Sequence, residues 1–287
     1  MIKEVDDIRD GFFDDLLEKF KNDKKVYFMT ADQGTFKLQE FQKYDESRAI
    51  NVGISEQHLI SFASGLAKSG NIVYIYAIST FLIFRAFEQI KVDLVLNNSN
   101  VKMIGMGTGF CYSKDGPTHH SLEDIGVLRG YKNINIYTPS NAITSKLISR
   151  KVYKNKGLDY VRLDKGSYNF NNSYTIKNHL ENLVIFKKGK FKKCIISHGV
   201  ILNSVYKIYF NRLDVQIIDV YKLNNLSRKT LDILSEFNKV VVIEESITSS
   251  SFGSILDSYL FNKNINLIKI GVDNINNYHY GNRDFLI

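Results

Sequence analysis

Short β-branched apolar runs alternating with helically spaced segments constrain this chain more than any other feature. Residues 26–29, 72–76, 101–104, 134–137 and 160–163 are such runs. From Ser55 onward, Leu59, Ile60, Phe62, Ala63, Leu66 and Ala67 fall on one helical stripe, with Gly70 as a stop. Runs that are apolar on both faces, separated by amphipathic helices, predict parallel βαβ units covered on each side. A polar stretch, 171–182, reads as a linker. Beyond it the alternation resumes, with strands at 194–197, 215–218 and 240–243 and helices at 201–210 and 226–237. The fold class is therefore α/β with two domains, 1–170 and 183–287.

A 44 % hydrophobic, 24 % charged composition supports a real core. No apolar run is long enough to predict a membrane span, and the N-terminus is charged rather than signal-like. Two cysteines, Cys111 and Cys194, have no CxxC partner, which fits a reduced, cytoplasmic compartment. The net charge of +8 leans toward anions. Nucleic acid and sugar phosphates are both such partners, and because the basic residues are scattered the charge alone does not choose between them.

Four motifs could carry chemistry. Gly105-Met106-Gly107-Thr108-Gly109 lacks the later glycine of a dinucleotide fingerprint and reads as a flexible strand-end loop. Asp115-Gly116-Pro117-Thr118-His119-His120 leads to Ser121, Glu123 and Asp124. Adjacent histidines face apart and no HxxxH spacing occurs, so metal ligation is disfavoured. Gly-Pro sets a turn, and Thr118 or Ser121 can cap a helix carrying Glu123 or Asp124 in its first turn. That leaves both histidines unexplained, and a rigid loop presenting an imidazole suits a polar substrate. Glu56 stands in the first turn of its helix with Ser55 as cap, where a carboxylate answers the helix dipole. Phe81, Phe84 and Phe87 recur at a spacing that ordinarily marks a core stripe.

The order of these motifs is more specific than any one of them. A strand leading to Gly53-Ile54-Ser55-Glu56-Gln57, the three-phenylalanine helix, Lys114-Asp115-Gly116-Pro117-Thr118-His119 and a strand ending in Thr138-Pro139-Ser140 resemble the transketolase family of thiamine-diphosphate enzymes. The resemblance runs from Val26 to the C-terminus and loosens after Asp124, where Val242-Ile243-Glu244-Glu245 and Tyr280-Gly281 still match. It implies a parallel-sheet pyrimidine-binding domain followed by a smaller transketolase C-terminal-like domain. It also implies that Glu56 meets N1′ of the cofactor's aminopyrimidine, a task for a buried carboxyl able to share a proton. Ile54, Phe81, Phe84 and Phe87 would line the cofactor pocket, with Phe84 stacking. Asp115 and the catalytic His119 would face the substrate, and Arg162 would grip its phosphate end.

Two departures qualify that picture. Full-length members hold Mg²⁺ and the diphosphate on an N-terminal domain with a Gly-Asp-Gly motif; no such motif occurs here, and few residues precede Val26. The resemblance then implies the β subunit of a split enzyme, completed by a separate α chain as α₂β₂, with the Mg²⁺ ligands on that partner. Second, Gly107 stands where many transketolases have a histidine. Two-carbon ketol transfer between sugar phosphates is the first reading. A deoxyxylulose-phosphate-synthase-like acyloin condensation and a 2-oxoacid dehydrogenase E1 β subunit are the alternatives.

Overall fold

The computed structural model describes residues 6–32, 35–168, 170, 180–186, 192–212, 214–273 and 279–287. Six strands form the first sheet: β1 (Val26–Thr30), β2 (Ala49–Asn51), β3 (Ile72–Ile78), β4 (Val101–Met106), β5 (Ile134–Tyr137) and β6 (Leu158–Leu163). Their order is β2-β1-β3-β4-β6-β5, and every pairing is parallel. β4 and β6 are buried at every position, which explains sequences with no regular polar alternation. Lys102, the cation inside β4, is fully buried; its Nζ donates to the carbonyls of Asn155 (2.8 Å) and Gly157 (2.6 Å) and pairs with Asp159 at 2.9 Å.

Alternate side chains of β3 feed two cores. Val73 and Ile75 pack with Leu59, Ile60 and Ala63 of the helix Glu56–Lys68, while Tyr74 and Tyr76 pack with Phe12, Phe13 and Leu16 of the helix Ile8–Asn22. The latter helix lies against Ala142–Lys154, and Gly11 permits the close approach: a Cβ there would come within 2.1 Å of the Ala142 carbonyl oxygen.

The second sheet contains β7 (Leu183–Ile185), β8 (Lys193–Ser197), β9 (Gln216–Val220), β10 (Lys239–Ile247) and β11 (Asn266–Val272), in the order β11-β10-β8-β9-β7. The three strands read from sequence are its centre. Both edges were missed: β7 is short and pairs antiparallel, and β11 is half-exposed and carries Lys269 and Gly271.

Residues 171–179 of the anticipated linker lie outside the described residues. Its last residue, Asn182, is no loose spacer. Buried, it accepts from the backbone N–H groups of Tyr221 (3.0 Å), Lys222 (3.2 Å) and Ser227 (3.0 Å). The segment after β9 then satisfies the open edge of β5. Thr138 N–H donates to Tyr221 O (2.9 Å), Leu223 N–H donates to Ile136 O (2.8 Å), and Ile136 N–H donates to Asn224 Oδ1 (2.9 Å). The second domain thereby caps an edge of the first sheet. Among the described residues no helix is long and apolar enough to cross a membrane.

Candidate active site

The helix Glu56–Lys68 begins where β2 ends, and Glu56 is its first residue. Ser55 does not cap it: its Oγ turns back to the carbonyls of Val52 and Gly53. Glu56 is 3 % exposed, and Oε2 accepts from Arg85 Nη1 at 2.7 Å. Its other oxygen, Oε1, makes no hydrogen bond to any described residue. The sequence reading expected apolar walls here; the structure supplies a guanidinium.

Arg85 comes from a segment that is not the regular helix its phenylalanine spacing implied. Residues Phe81–Arg85 form a π-helical turn, Ala86 breaks the pattern, and Phe87–Gln89 resumes as α-helix. The wider turn dissolves the expected stripe. Phe81 turns toward His119, with ring centroids 5.1 Å apart and edge-on. Phe84 is exposed, and Phe87 packs against the core and Tyr131. Ile54, also exposed, precedes the helix.

The Asp115–Asp124 loop is held by its own polar groups. Ser121 bridges to Gly109 and its Oγ lies 2.8 Å from Ser79 Oγ, so it caps no helix; the following helix, Asp124–Leu128, has no side-chain cap. The two histidines divide their work. His120 is buried, 3.3 Å from Ser113 O and edge-on to Phe110, and burial lowers its pKa. It is a structural residue. His119 is half-exposed, with Nδ1 3.0 Å from Thr118 Oγ1, which leaves Nε2 for another partner. Asp115 is exposed at the end of the turn Ser113–Asp115.

Beyond His119 stands Tyr112, ring centroids 6.1 Å apart, and Lys165 Nζ lies 4.7 Å over the Tyr112 ring. On the other side, Arg85 Cζ is 4.6 Å from the Phe81 centroid. A continuous row therefore runs Glu56, Arg85, Phe81, His119, Tyr112, Lys165. It starts at a carboxylate, passes along aromatic and imidazole edges and ends at an ammonium. Sequence reading found Glu56, Phe81 and His119 but passed over Arg85, Tyr112 and Lys165. A lone cation inside an aromatic run was the available signal for Arg85.

Arg162 is not in this row. Its Nε donates to Asp124 Oδ2 (2.7 Å) and Nη2 to Oδ1 (3.1 Å), while Tyr160 Oη donates to the same carboxylate (2.6 Å). Both partners are buried beside the narrow cleft that also contains Glu245 and Arg283. A guanidinium committed to a buried carboxylate cannot take up a phosphate without stranding that charge. The phosphate assignment of Arg162 is corrected accordingly: it braces β6 against the Asp115–Asp124 loop.

The family model described as "Transketolase, pyrimidine binding domain" matches residues 7–171. The chain belongs to the transketolase family. It is 31 % identical over 252 residues to an apulose-4-phosphate transketolase subunit of Actinobacillus succinogenes, covering 84 % of this chain and 80 % of that one. It is 30 % identical over 281 residues to the 1-deoxy-D-xylulose-5-phosphate synthase of Thermotoga petrophila, covering 93 % of this chain but 44 % of that protein. A solved structure titled "Split gene transketolase, inactive beta4 tetramer" superposes with a TM-score of 0.80 at 24 % identity, covering 93 % of this chain and 89 % of the other, and so shares the fold.

Proposed function

We propose that this chain is the carboxyl-terminal (β) subunit of a two-chain, thiamine-diphosphate-dependent transketolase that moves a two-carbon ketol unit between sugar phosphates. One observation carries the reading: a buried carboxyl with an open oxygen, Glu56, lies at the head of an aromatic row that reaches the imidazole of the Asp-Gly-Pro-Thr-His loop.

The residues present fit half of the cofactor. Glu56 Oε1 can meet a ring nitrogen while Arg85 fixes the carboxylate by its other oxygen, and Phe81 and exposed Phe84 offer faces for an aminopyrimidine. Thiamine diphosphate, when bound, supplies the electron sink for carbon–carbon cleavage beside a carbonyl. In this chain Glu56 shares a proton at that ring nitrogen, His119 Nε2 meets a sugar oxygen, and exposed Asp115 accepts from a sugar hydroxyl. Lys165, with no salt bridge among the described residues, takes the phosphate in place of Arg162.

The diphosphate and Mg²⁺ half is assigned to an α chain. Among the described residues no three His, Cys, Asp or Glu groups converge on a metal position. Exposed apolar side chains stand on the elements around Glu56: Ile54 just before its helix, Phe62 on the helix, Phe84 in the π-helical turn, and Val92 and Leu96 in and just after a second π-helical segment, Ile90–Val95, whose Asp93 accepts from Ser61 of the helix. A patch of this kind marks a subunit interface, and we assign it to the α₂β₂ assembly. The name of the Actinobacillus succinogenes relative, which makes that protein one subunit of a transketolase, supports a two-chain enzyme.

The test combines this chain with an α chain carrying Gly-Asp-Gly, thiamine diphosphate and Mg²⁺, and measures ketol transfer from a ketose phosphate. Activity requiring both chains is the expected result. Tight cofactor binding by this chain alone overturns the split reading. The synthase likeness favours one second reading, acyloin condensation. Pyruvate replacing the ketose as donor, with release of CO₂, would establish it instead.

A further inference from the structure

Gly107 leaves β4 with φ +86°, and the space a side chain would fill there is already taken: a Cβ at 107 would lie 2.1 Å from Tyr112 Cε2. The Tyr112 ring is thus seated directly on backbone, a closer approach than any other residue type at 107 permits. Its main chain is fixed as well, because Tyr112 O accepts from Asp115 N–H at 3.0 Å. The ring has two functional neighbours, His119 at its edge and Lys165 over its face. The imidazole and the ammonium thus both pack on one aromatic ring, 6.1 Å and 4.7 Å from its centroid.

We infer that Tyr112 determines substrate length: its ring, resting on Gly107, is the wall between the His119 end, where a sugar reacts, and the Lys165 end, where its phosphate is held. The inference rests on the ketol-transfer reading above. A sugar phosphate anchored at Lys165 must bring its carbonyl carbon to His119 across the width of this ring. A short aldose phosphate spans it, whereas a longer one must displace the ring or fold. A rigid two-torsion side chain on glycine is poorly able to yield, so the limit is steric. The phenol stays neutral at physiological pH, since burial pushes it up to about 12, and so it does not repel an incoming phosphate.

The experiment uses the reconstituted two-chain enzyme and compares a three-carbon with a five-carbon aldose phosphate as acceptor. Tyr112→Ala is expected to raise the ratio of kcat/KM, five-carbon over three-carbon, by roughly tenfold or more, the scale of a pocket changed by a few carbon atoms. Tyr112→Leu gives a smaller rise, and guards against a variant that misfolds. Tyr112→Phe keeps the wild-type ratio, because the ring rather than the hydroxyl sets the limit. A ratio that stays within about twofold in both Ala and Leu variants that still transfer ketol units overturns the inference alone. Absence of transfer to either acceptor by the wild-type pair overturns the function on which it rests.

Discussion

Arg85 Nη1 holds Glu56 Oε2 at 2.7 Å, joining the first residue of one helix to the last residue of a π-helical turn. The carboxylate is buried and the guanidinium is half-exposed. The pair fixes one carboxylate oxygen and leaves the second without a hydrogen bond to any described residue. A regular α-helix would place position 85 at a different angle about the axis, so the π-turn is part of what builds the site.

Glu56→Gln keeps the shape and the Arg85 hydrogen-bond acceptor but removes the shared proton. In the reconstituted enzyme kcat is expected to fall by at least ~10²-fold, the scale of general acid–base contributions. Steady-state kinetics with saturating cofactor check it, and unchanged turnover removes Glu56 from its role.

Lys165→Met is expected to raise KM for phosphorylated sugars by about ten- to a hundredfold, corresponding to ~1.5–3 kcal/mol for hydrogen bonds to a charged group. Unphosphorylated sugars serve as the control and should change little. Equal loss on both kinds of sugar would place Lys165 outside phosphate recognition.

Asp124→Ala strands the buried Arg162 guanidinium, and denaturant unfolding should show a loss of about 3–5 kcal/mol. The exposed pair Arg228–Asp232, 3.0 Å apart on a helix surface, provides the contrast. Asp232→Ala is expected to leave the unfolding midpoint unchanged, as is usual for solvated ion pairs.

Acid should weaken the fold before ordinary carboxylates titrate. Burial holds His120 and His198 below their ordinary value of 6.5. Above that value both states are neutral and nothing is lost. Below it the unfolded chain binds protons that the folded chain refuses, so stability declines as pH falls. Burial raises Glu123 and Glu245 above 4.5, and these oppose the decline by binding protons in the folded state. Unfolding free energies measured between about pH 7.5 and pH 5.5 should fall for the wild type and fall less for His120→Gln. Equal slopes would show that His120 is protonated in the fold.

The strands were legible in the sequence because a parallel strand buried on both faces must be apolar at nearly every position, as in 72–76 and 101–104. The helix from Glu56 was legible because one buried face imposes a 3.6-residue period. Glu56, Phe81 and His119 stood out through motif order, which local chemistry preserves along the chain. The short edge β7 escaped, since a strand of three residues carries too few positions to show a pattern, and β2, equally short, was read only from its place before the Gly53–Gln57 motif.

Tertiary structure decided the remainder. Arg162 lies within β6 and Lys165 just beyond its end; that Asp124 claims the first and leaves the second beside Tyr112 depends on a loop folded back from far along the chain. Gly107 and Tyr112 are near in sequence, yet only the left-handed turn at the glycine lays the ring upon it. Periodicity records which faces are buried, because burial acts on each residue separately. Partnership is a property of pairs, and it is fixed only when packing brings distant side chains to within hydrogen-bond reach.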